Sequence, residues 1–463
     1  MLASTLFSAV ALGGHASARV FARQAGQFES CVAQAVGNDP QLYAVPTSPK
    51  YNQSIDIYNL DHVYVPSAVA FPTSAAQVAA LVQCASSSNV AVQSLSGGHS
   101  YLNFGLGGQN GSLSIGLKNI NQSSYDDSAQ QLTFGTGNLL GGLTTALKSA
   151  NRTAAYSYIE SIGTGGHFAI GGLGPLSRQH GLAADQVVEV QVVTSDGQIV
   201  KASQDENEDL FWAVRGAAWS FGIVTSITID TVPVVSSTSY SYIIPGNAST
   251  LASVVSAWQD IVSNEDLPRE FSSTVYIWEG FVLITGSYYG SQEDLDRLSQ
   301  LFSVLFTSHL PTHFYSKSLK FTPDTLPAPE ATGEIIEYIL SNKTDRGSPL
   351  WFVIWDLGGG AINDPAQDAT AYWHRDALIW LQSYTINLAG PVSDAQKEFL
   401  TTVNAGYQTL VAGVDDSAYA GYVDDALVDP LTSYWGCNVA KLESIKAKYD
   451  SSNTFRNGQS IVA

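Results

Sequence analysis

QSLSGGHSYLNFGLGG, Gln93 to Gly108, sets five glycines around one histidine, directly after an apolar, strand-like run. Glycine carries no Cβ, so the main-chain N–H groups of such a loop can approach a phosphate or a flat ring closely. Upstream, SAAQVAALVQCASSS reads as an amphipathic helix capped by Thr73, and NVAVQSL reads as the strand that delivers the loop. A second loop, GTGGHFAIGGLG at Gly163–Gly174, repeats the arrangement around His167. It is not the dinucleotide fingerprint, because His and Phe stand where the third glycine would fall. It is not a P-loop either, because no Gly-Lys-Ser/Thr follows. One glycine-rich loop is by itself only a tight turn. Two of them, each carrying a histidine, ask for a flat or phosphorylated ligand.

Working outward, GSLSIGL and QQLTFGTG read as strands, and VVEVQVVTSDGQIV reads as a hairpin turning at Asp196-Gly197. DENEDLFWAVRGA opens with acids, as helix N-termini do, and SFGIVTSITIDTVPV is a further strand. From about Ser236 the helices TLASVVSAWQDIV and SQEDLDRLSQLFSVL alternate with the strands FSSTVYIW, GFVLITGSYYG and PLWFVIWDLGGG. The tail YWGCNVAKLESIKAKYD reads as one helix. The class is α+β. The expected division is a first domain over 19–235, a second over 236–410, and a C-terminal segment, 411–463, that returns to the first.

The chain has 463 residues, enough for two or three domains, and a formal net charge of −20. That charge argues against nucleic acid or an anionic membrane as partner and suits a protein working outside the cell. MLASTLFSAVALGGHASA, residues 1–18, has the short apolar run and small-x-small ending of a signal peptide, and the run is too short to span a bilayer. Six N-x-S/T sequons, at Asn52, Asn110, Asn121, Asn151, Asn247 and Asn342, fit a secreted, glycosylated protein, and a monomer is expected. Three cysteines suggest one pair and one free thiol. We expect Cys31–Cys84, with Cys437 left over; the spacing is no metal pattern, and no metal is expected.

SGGHSY at Ser96–Tyr101 and GGHFAIGGLGPLSRQHGLAAD at Gly165–Asp185 are followed in order by RGAAWSFGIVTSITI, DLGGG, TAYWHRD, YAGYVDD and YWGCNVAKLESIKAKYDSSNTF. This ordered set resembles the vanillyl-alcohol oxidase superfamily, and within it the berberine bridge enzyme-like flavoproteins, with fungal glucooligosaccharide and chitooligosaccharide oxidases nearest in pattern. The resemblance covers nearly the whole mature chain. It implies a two-part FAD-binding domain of the PCMH/vanillyl-alcohol oxidase type and an α+β substrate domain with an antiparallel sheet. It implies that His99 is bonded covalently to the 8α carbon of FAD. Ser96, Gly97, Gly98 and Ser100 match the rest of the first loop, and Gly163, Gly165, Gly166, His167, Gly171 and Gly172 match the second; Asp185 and Val224 lie in motifs near the flavin. Many relatives add a bond from a cysteine eight residues before the histidine of GGH. Here that position is Ile159, within Ile159-Glu160-Ser161, so a single tether is expected.

The implied reaction is oxidation of an alcohol, with oxygen as acceptor and hydrogen peroxide as product. The reducing-end C1 hydroxyl of an oligosaccharide would give a lactone. By motif, Tyr422 is the base and Asp356 its partner, since a phenol needs a proton acceptor beside it to act near neutrality. Tyr101, Tyr419, Gln382 and His374 are expected to face substrate, and Trp278, Trp351 and Trp355 are either sugar platforms or core. Two departures stand out: Gly421 replaces the asparagine of the YxNYxD motif, and Thr164 replaces the usual aliphatic before GGH. They leave open an oxidase or cyclase of a secondary metabolite, and a catalytically idle flavin- or carbohydrate-binding protein.

Overall fold

A computed structural model describes residues 26–289, 311–342 and 350–463. The first glycine loop leaves the carboxyl end of a strand in a small sheet. That sheet joins β1 (Tyr43–Ala44), β2 (Ala68–Ala70), β3 (Val92–Leu95) and β4 (Leu113–Gly116) in the order β1-β2-β4-β3. β4 runs parallel to both β2 and β3. Its residues are buried without alternation, as parallel strands covered on both faces require. The helix Ala75–Ser87 packs on it through Val78, Leu81, Val82 and Ala85. Its cap is Ser74, whose Oγ accepts from Gln77 N (3.3 Å); Thr73 instead donates its N–H to Gln77 Oε1 (2.8 Å). The cap therefore lies one residue after the Thr73 that the sequence predicts. A disulfide joins Cys31, on the helix 26–35, to Cys84, and Cys437 is free and exposed.

A second, antiparallel sheet contains β5 (Ser123–Asp126), β6 (Gln131–Gly135), β8 (Val187–Val193), β9 (Ile199–Ser203) and β10 (Ile223–Asp230) in the order β5-β6-β10-β8-β9. Beside it β7 (Arg152–Thr153) pairs with β11 (Val232–Pro233). The β8–β9 hairpin turns at Gly197, as the sequence predicts.

The third sheet is antiparallel throughout. It comprises β12 (Ser237–Pro245), β13 (Phe271–Trp278), β14 (Phe281–Tyr289), β15 (His313–Phe321), β16 (Leu350–Leu357) and β17 (Ile379–Asn387), in the order β12-β14-β13-β16-β17-β15. The helices Ala248–Val262, Pro329–Ser341 and Asp394–Leu410 cover one face. Side chains alternate across a strand. Val275, Ile277, Trp351, Val353, Trp355 and Leu381 therefore share a core with Leu251, Ile336, Phe399 and Val403. Burying each such side chain stabilises the fold by roughly 1.5–3 kcal/mol. This helix-covered face fixes the register, because a one-residue slip would turn it outward. Register in turn decides what the other face presents: Thr274, Tyr276, Ile354, Asp356, Gln382 and Tyr384, neighbours in the ladder.

The tail packs back on the N-terminal sheets. Val92 N donates to Thr454 O (2.9 Å), and the buried Lys446 donates to Ser220 O (2.7 Å), Phe455 O (3.0 Å) and Asp450 (2.6 Å). It is not one helix: Pro430–Trp435 ends at Gly436, whose φ of 49° breaks the run, and Val439–Tyr449 follows. The expected signal peptide at 1–18 and the expected helix at 291–305 lie outside the described residues. Among the described residues no helix is long and apolar enough to cross a membrane.

Candidate active site

Asp356 stands near the end of β16, with Thr274 of β13 as its register partner. Thr274 Oγ1 donates to its Oδ1 (3.2 Å), and Tyr422 Oη donates to its Oδ2 (3.0 Å). Burial pushes the Asp356 carboxyl up to about 6, against the pull of the two hydroxyl bonds. Burial, reinforced by the carboxylate charge, raises the Tyr422 phenol well above its ordinary value. Above about pH 6 the proton therefore sits on Tyr422 and the carboxylate is the acceptor.

Tyr422 is delivered by the segment 418–425, which lies along the edge strand β15. Tyr419 N donates to Ser318 Oγ (3.1 Å); the buried Asp424 accepts from Tyr315 Oη (3.0 Å) and Lys317 Nζ (2.7 Å). Tyr419 is itself buried, with its phenol accepting from Gly172 N (3.0 Å). That bond ties the segment to the second glycine loop, and the Tyr419 ring packs edge-on against Tyr422 at 5.0 Å. Gly421 belongs to the same arrangement: a Cβ there would run into the Tyr419 ring.

Tyr101 stacks on Tyr422 at 6.0 Å between ring centres and meets Phe314 edge-on at 5.1 Å. Its phenol accepts from Gln382 Nε2 (3.0 Å), which also donates to Ser316 Oγ (3.1 Å). The structure thus brings Tyr101, Gln382, Tyr422 and Asp356 together. It does not bring His374 to them. That ring is buried edge-on against Trp380 at 5.2 Å, donates to Ser433 O (2.8 Å), and is lowered by burial to about 4, a neutral packed imidazole. Of the three tryptophans, Trp351 and Trp355 belong to the helix-side core. Trp278 ends β13, where it meets Phe352 edge-on at 4.3 Å and stacks on Phe281 at 5.9 Å.

The two glycine loops touch main chain to main chain. A Cβ on Gly97 or on Gly163 would overlap the other's backbone nitrogen. Ser96 Oγ fastens them, donating to Thr136 O (2.5 Å) and accepting from Gly165 N (3.2 Å). Thr136, which sequence reading missed, also donates from Oγ1 to Val224 O (2.6 Å). Its flanking Gly135 and Gly137 were the available signal. His99 Nε2 lies 2.9 Å from Ser161 Oγ, with the ring of Tyr58 at 4.7 Å. Other residues matched to the cofactor site act within the protein. Ser100 Oγ accepts from Phe104 N (3.1 Å), and buried His167 accepts from Ser157 N (3.0 Å), its imidazole lowered to about 4. Asp185 forms a two-pronged ion pair with Arg375 at 2.7 Å.

The buried Arg178, also missed, donates to Phe271 O (2.8 Å) and Gly358 O (2.7 Å). It pins the helix Ser177–His180, just past the second glycine loop, to the start of β13 and the end of β16.

These residues suit a dinucleotide. Loop contacts leave no room for side chains at Gly97 and Gly163, whereas a Cβ on Gly166 would meet nothing within 4 Å. A separate cavity of about 430 Å³ lies between Thr73, Ser74 and Ile120 on one side and β5, β6, β8 and β10 on the other, and no residue of either glycine loop lines it.

Comparison with known proteins gives the same reading. Residues 66–203 match the family described as FAD binding domain, and 418–462 match berberine and berberine like. The FAD-linked oxidoreductase sorD of Penicillium rubens is 36% identical over 474 residues, 94% of this chain and 98% of that protein. The chitooligosaccharide oxidase of Gibberella zeae is 30% identical, with 98% and 97% covered. A solved structure of glucooligosaccharide oxidase from Acremonium strictum, described with a 6-S-cysteinyl, 8α-N1-histidyl FAD, superposes with a TM-score of 0.82 at 27% identity, covering 94% of this chain and 99% of its own.

Proposed function

The chain belongs to the berberine bridge enzyme-like FAD-linked oxidoreductases that include the oligosaccharide oxidases, and on that premise we propose that it oxidises the reducing-end C1 hydroxyl of an oligosaccharide to a lactone. FAD, when bound, supplies the two-electron acceptor for hydride and hands the electrons to oxygen, giving hydrogen peroxide. The observation that carries the reading is the 3.0 Å hydrogen bond from Tyr422 to Asp356 on the open face of the sheet. Tyr422 Oη takes the substrate's hydroxyl proton while its own proton moves to Asp356 Oδ2. Thr274 holds the other carboxylate oxygen, so the acceptor does not rotate away. Tyr101, steadied by Gln382 and Ser316, supplies the ring wall beside the relay.

His99 holds the flavin alone in this reading, since the position of the second tether is Ile159. Domain limits stay at 19–235, 236–410 and 411–463. Secretion, by a signal at 1–18, is supported by sequons whose asparagines are exposed at 52, 110, 121, 151 and 247. A second reading, oxidation of an aromatic secondary metabolite, is favoured by the ring-rich wall of Tyr58, Tyr101, Phe314 and Tyr384.

Denaturing electrophoresis with flavin fluorescence tests the tether. The wild-type band fluoresces and the His99→Ala band is dark; a dark wild-type band ends the proposal. Peroxide release on a panel of oligosaccharides and aromatic alcohols then separates the two substrate readings.

A further inference from the structure

Beside Ile159 stands Tyr158, which the relay does not use. Its loop is held to the cofactor side of the site, because Ser161, three residues on, lies 2.9 Å from His99 Nε2. Yet the Tyr158 side chain is 56% exposed, an open ring on an otherwise anchored loop. Its hydroxyl reaches across to the substrate sheet and lies 3.4 Å from the hydroxyl of Tyr276. Tyr276 is on the same face of β13 as Thr274, opposite Ile354, one pleat from the Asp356 row. Burial, and after it the neighbouring Tyr158 and Asp356, raises the Tyr276 phenol well above its ordinary value.

We propose that Tyr158 and Tyr276 form a subsite for the hydroxyl next to the carbon being oxidised, on a pyranose ring that stacks against the open face of Tyr158. This deepens, and rests on, the sugar reading above. Each phenol can both donate and accept, and a separation of 3.4 Å is longer than the usual O–H···O bond of about 2.7–2.8 Å. A third hydroxyl bonding to both phenols gives two shorter contacts in place of one long one. Tyr276 is fixed in its strand by pairs on both sides, whereas Tyr158 is on a loop with an exposed ring and can adjust to the ligand. A site built to bond a hydroxyl rejects an analogue that lacks it far more strongly than an apolar pocket rejects a missing methylene. The pair therefore acts on selectivity, while Tyr422 and Asp356 act on the proton.

The test compares kcat/KM for glucose and 2-deoxyglucose in wild type, Tyr158→Phe, Tyr276→Phe and the double variant, each assayed as flavin-loaded enzyme. Wild type is expected to prefer glucose by about 10- to 100-fold, and each single variant to cut that ratio about 5- to 10-fold. The double variant is expected to fall no further than the worse single one, because the two phenols serve one hydroxyl. The ratio is taken within each variant, so a general loss of folded enzyme cancels. A ratio within twofold of wild type in both single variants overturns the subsite. If wild type oxidises neither sugar, it is the sugar reading that has failed. The subsite is then tested by difference spectra of the flavin on titration with salicyl alcohol and benzyl alcohol. Weakening of salicyl alcohol alone in Tyr276→Phe supports it; equal weakening, or none, overturns it.

Discussion

Trp355 and Asp356 are neighbours on β16, and they belong to opposite sides of the same sheet. Trp355 is fully buried among three helices, where it stacks on Phe321 at 5.4 Å and meets Trp258 edge-on. Asp356 faces the other way into a wall of phenols and hydroxyls, with no cation bonded to it among the described residues. The helix-side face is apolar, close-packed and stabilising. The open face keeps a carboxylate in surroundings that disfavour its charge, which is the condition that makes it a proton acceptor. The comparison teaches that one strand can carry both because the pleat separates them, and that the apolar face supplies the stability the polar face spends.

Asp356→Asn should break the comparison most sharply. Removing the acceptor is expected to lower kcat/KM by about 10²- to 10⁴-fold with flavin content unchanged. The same substitution should alter the pH dependence of stability. A carboxyl whose value rises from 3.8 unfolded to about 6 folded keeps its proton longer in the native state. Stability therefore falls as pH rises through that window, by about 3 kcal/mol, and denaturant unfolding of the Asn variant should show a flatter profile. An equal pH slope in both proteins would mean that Asp356 is not held as argued.

On the other face, Trp355→Ala should lower unfolding free energy by roughly 3–5 kcal/mol, read from urea transitions. Enzyme that remains folded should keep the wild-type pH profile. A shifted profile would show that the two faces are coupled.

Thr274→Val is the smallest and most selective change. It removes a hydroxyl that holds the Asp356 carboxyl down, so its value should rise above about 6. The acid limb of kcat/KM, which rises as Asp356 ionises, should then move to higher pH. An unmoved limb would assign that titration to another group.

The glycine loops, the hairpin at Gly197 and the strands β13, β14 and β16 were legible because local chemistry sets them: glycine where backbones touch, alternation where one face is apolar. Strands β15 and β17 were not. HFYSKSLKF puts Phe314, Ser316 and Ser318 on one face and Tyr315, Lys317 and Leu319 on the other. Both faces mix polar and apolar residues because the open face meets the site and the edge is covered by the segment 418–425. The sequence predicts one helix for the tail because nothing local distinguishes Gly436; its left-handed φ and the Trp373 ring in the space beside it belong to the folded chain.

Sequence alone determined the cofactor class, the absence of a second cysteine at Ile159, the Cys31–Cys84 pair, and Tyr422 and Asp356 as partners 66 residues apart. Those rest on residue identity and ordered motifs, which a chain carries whether or not it is folded. Only the tertiary structure decided that Tyr419 and His374 are buried supports, that Trp351 and Trp355 are core, and that Arg178, Thr136 and Thr274 hold the loops and the carboxylate. Such roles depend on which side of a strand or ring meets which neighbour, and that is set by the packing of segments far apart in the chain.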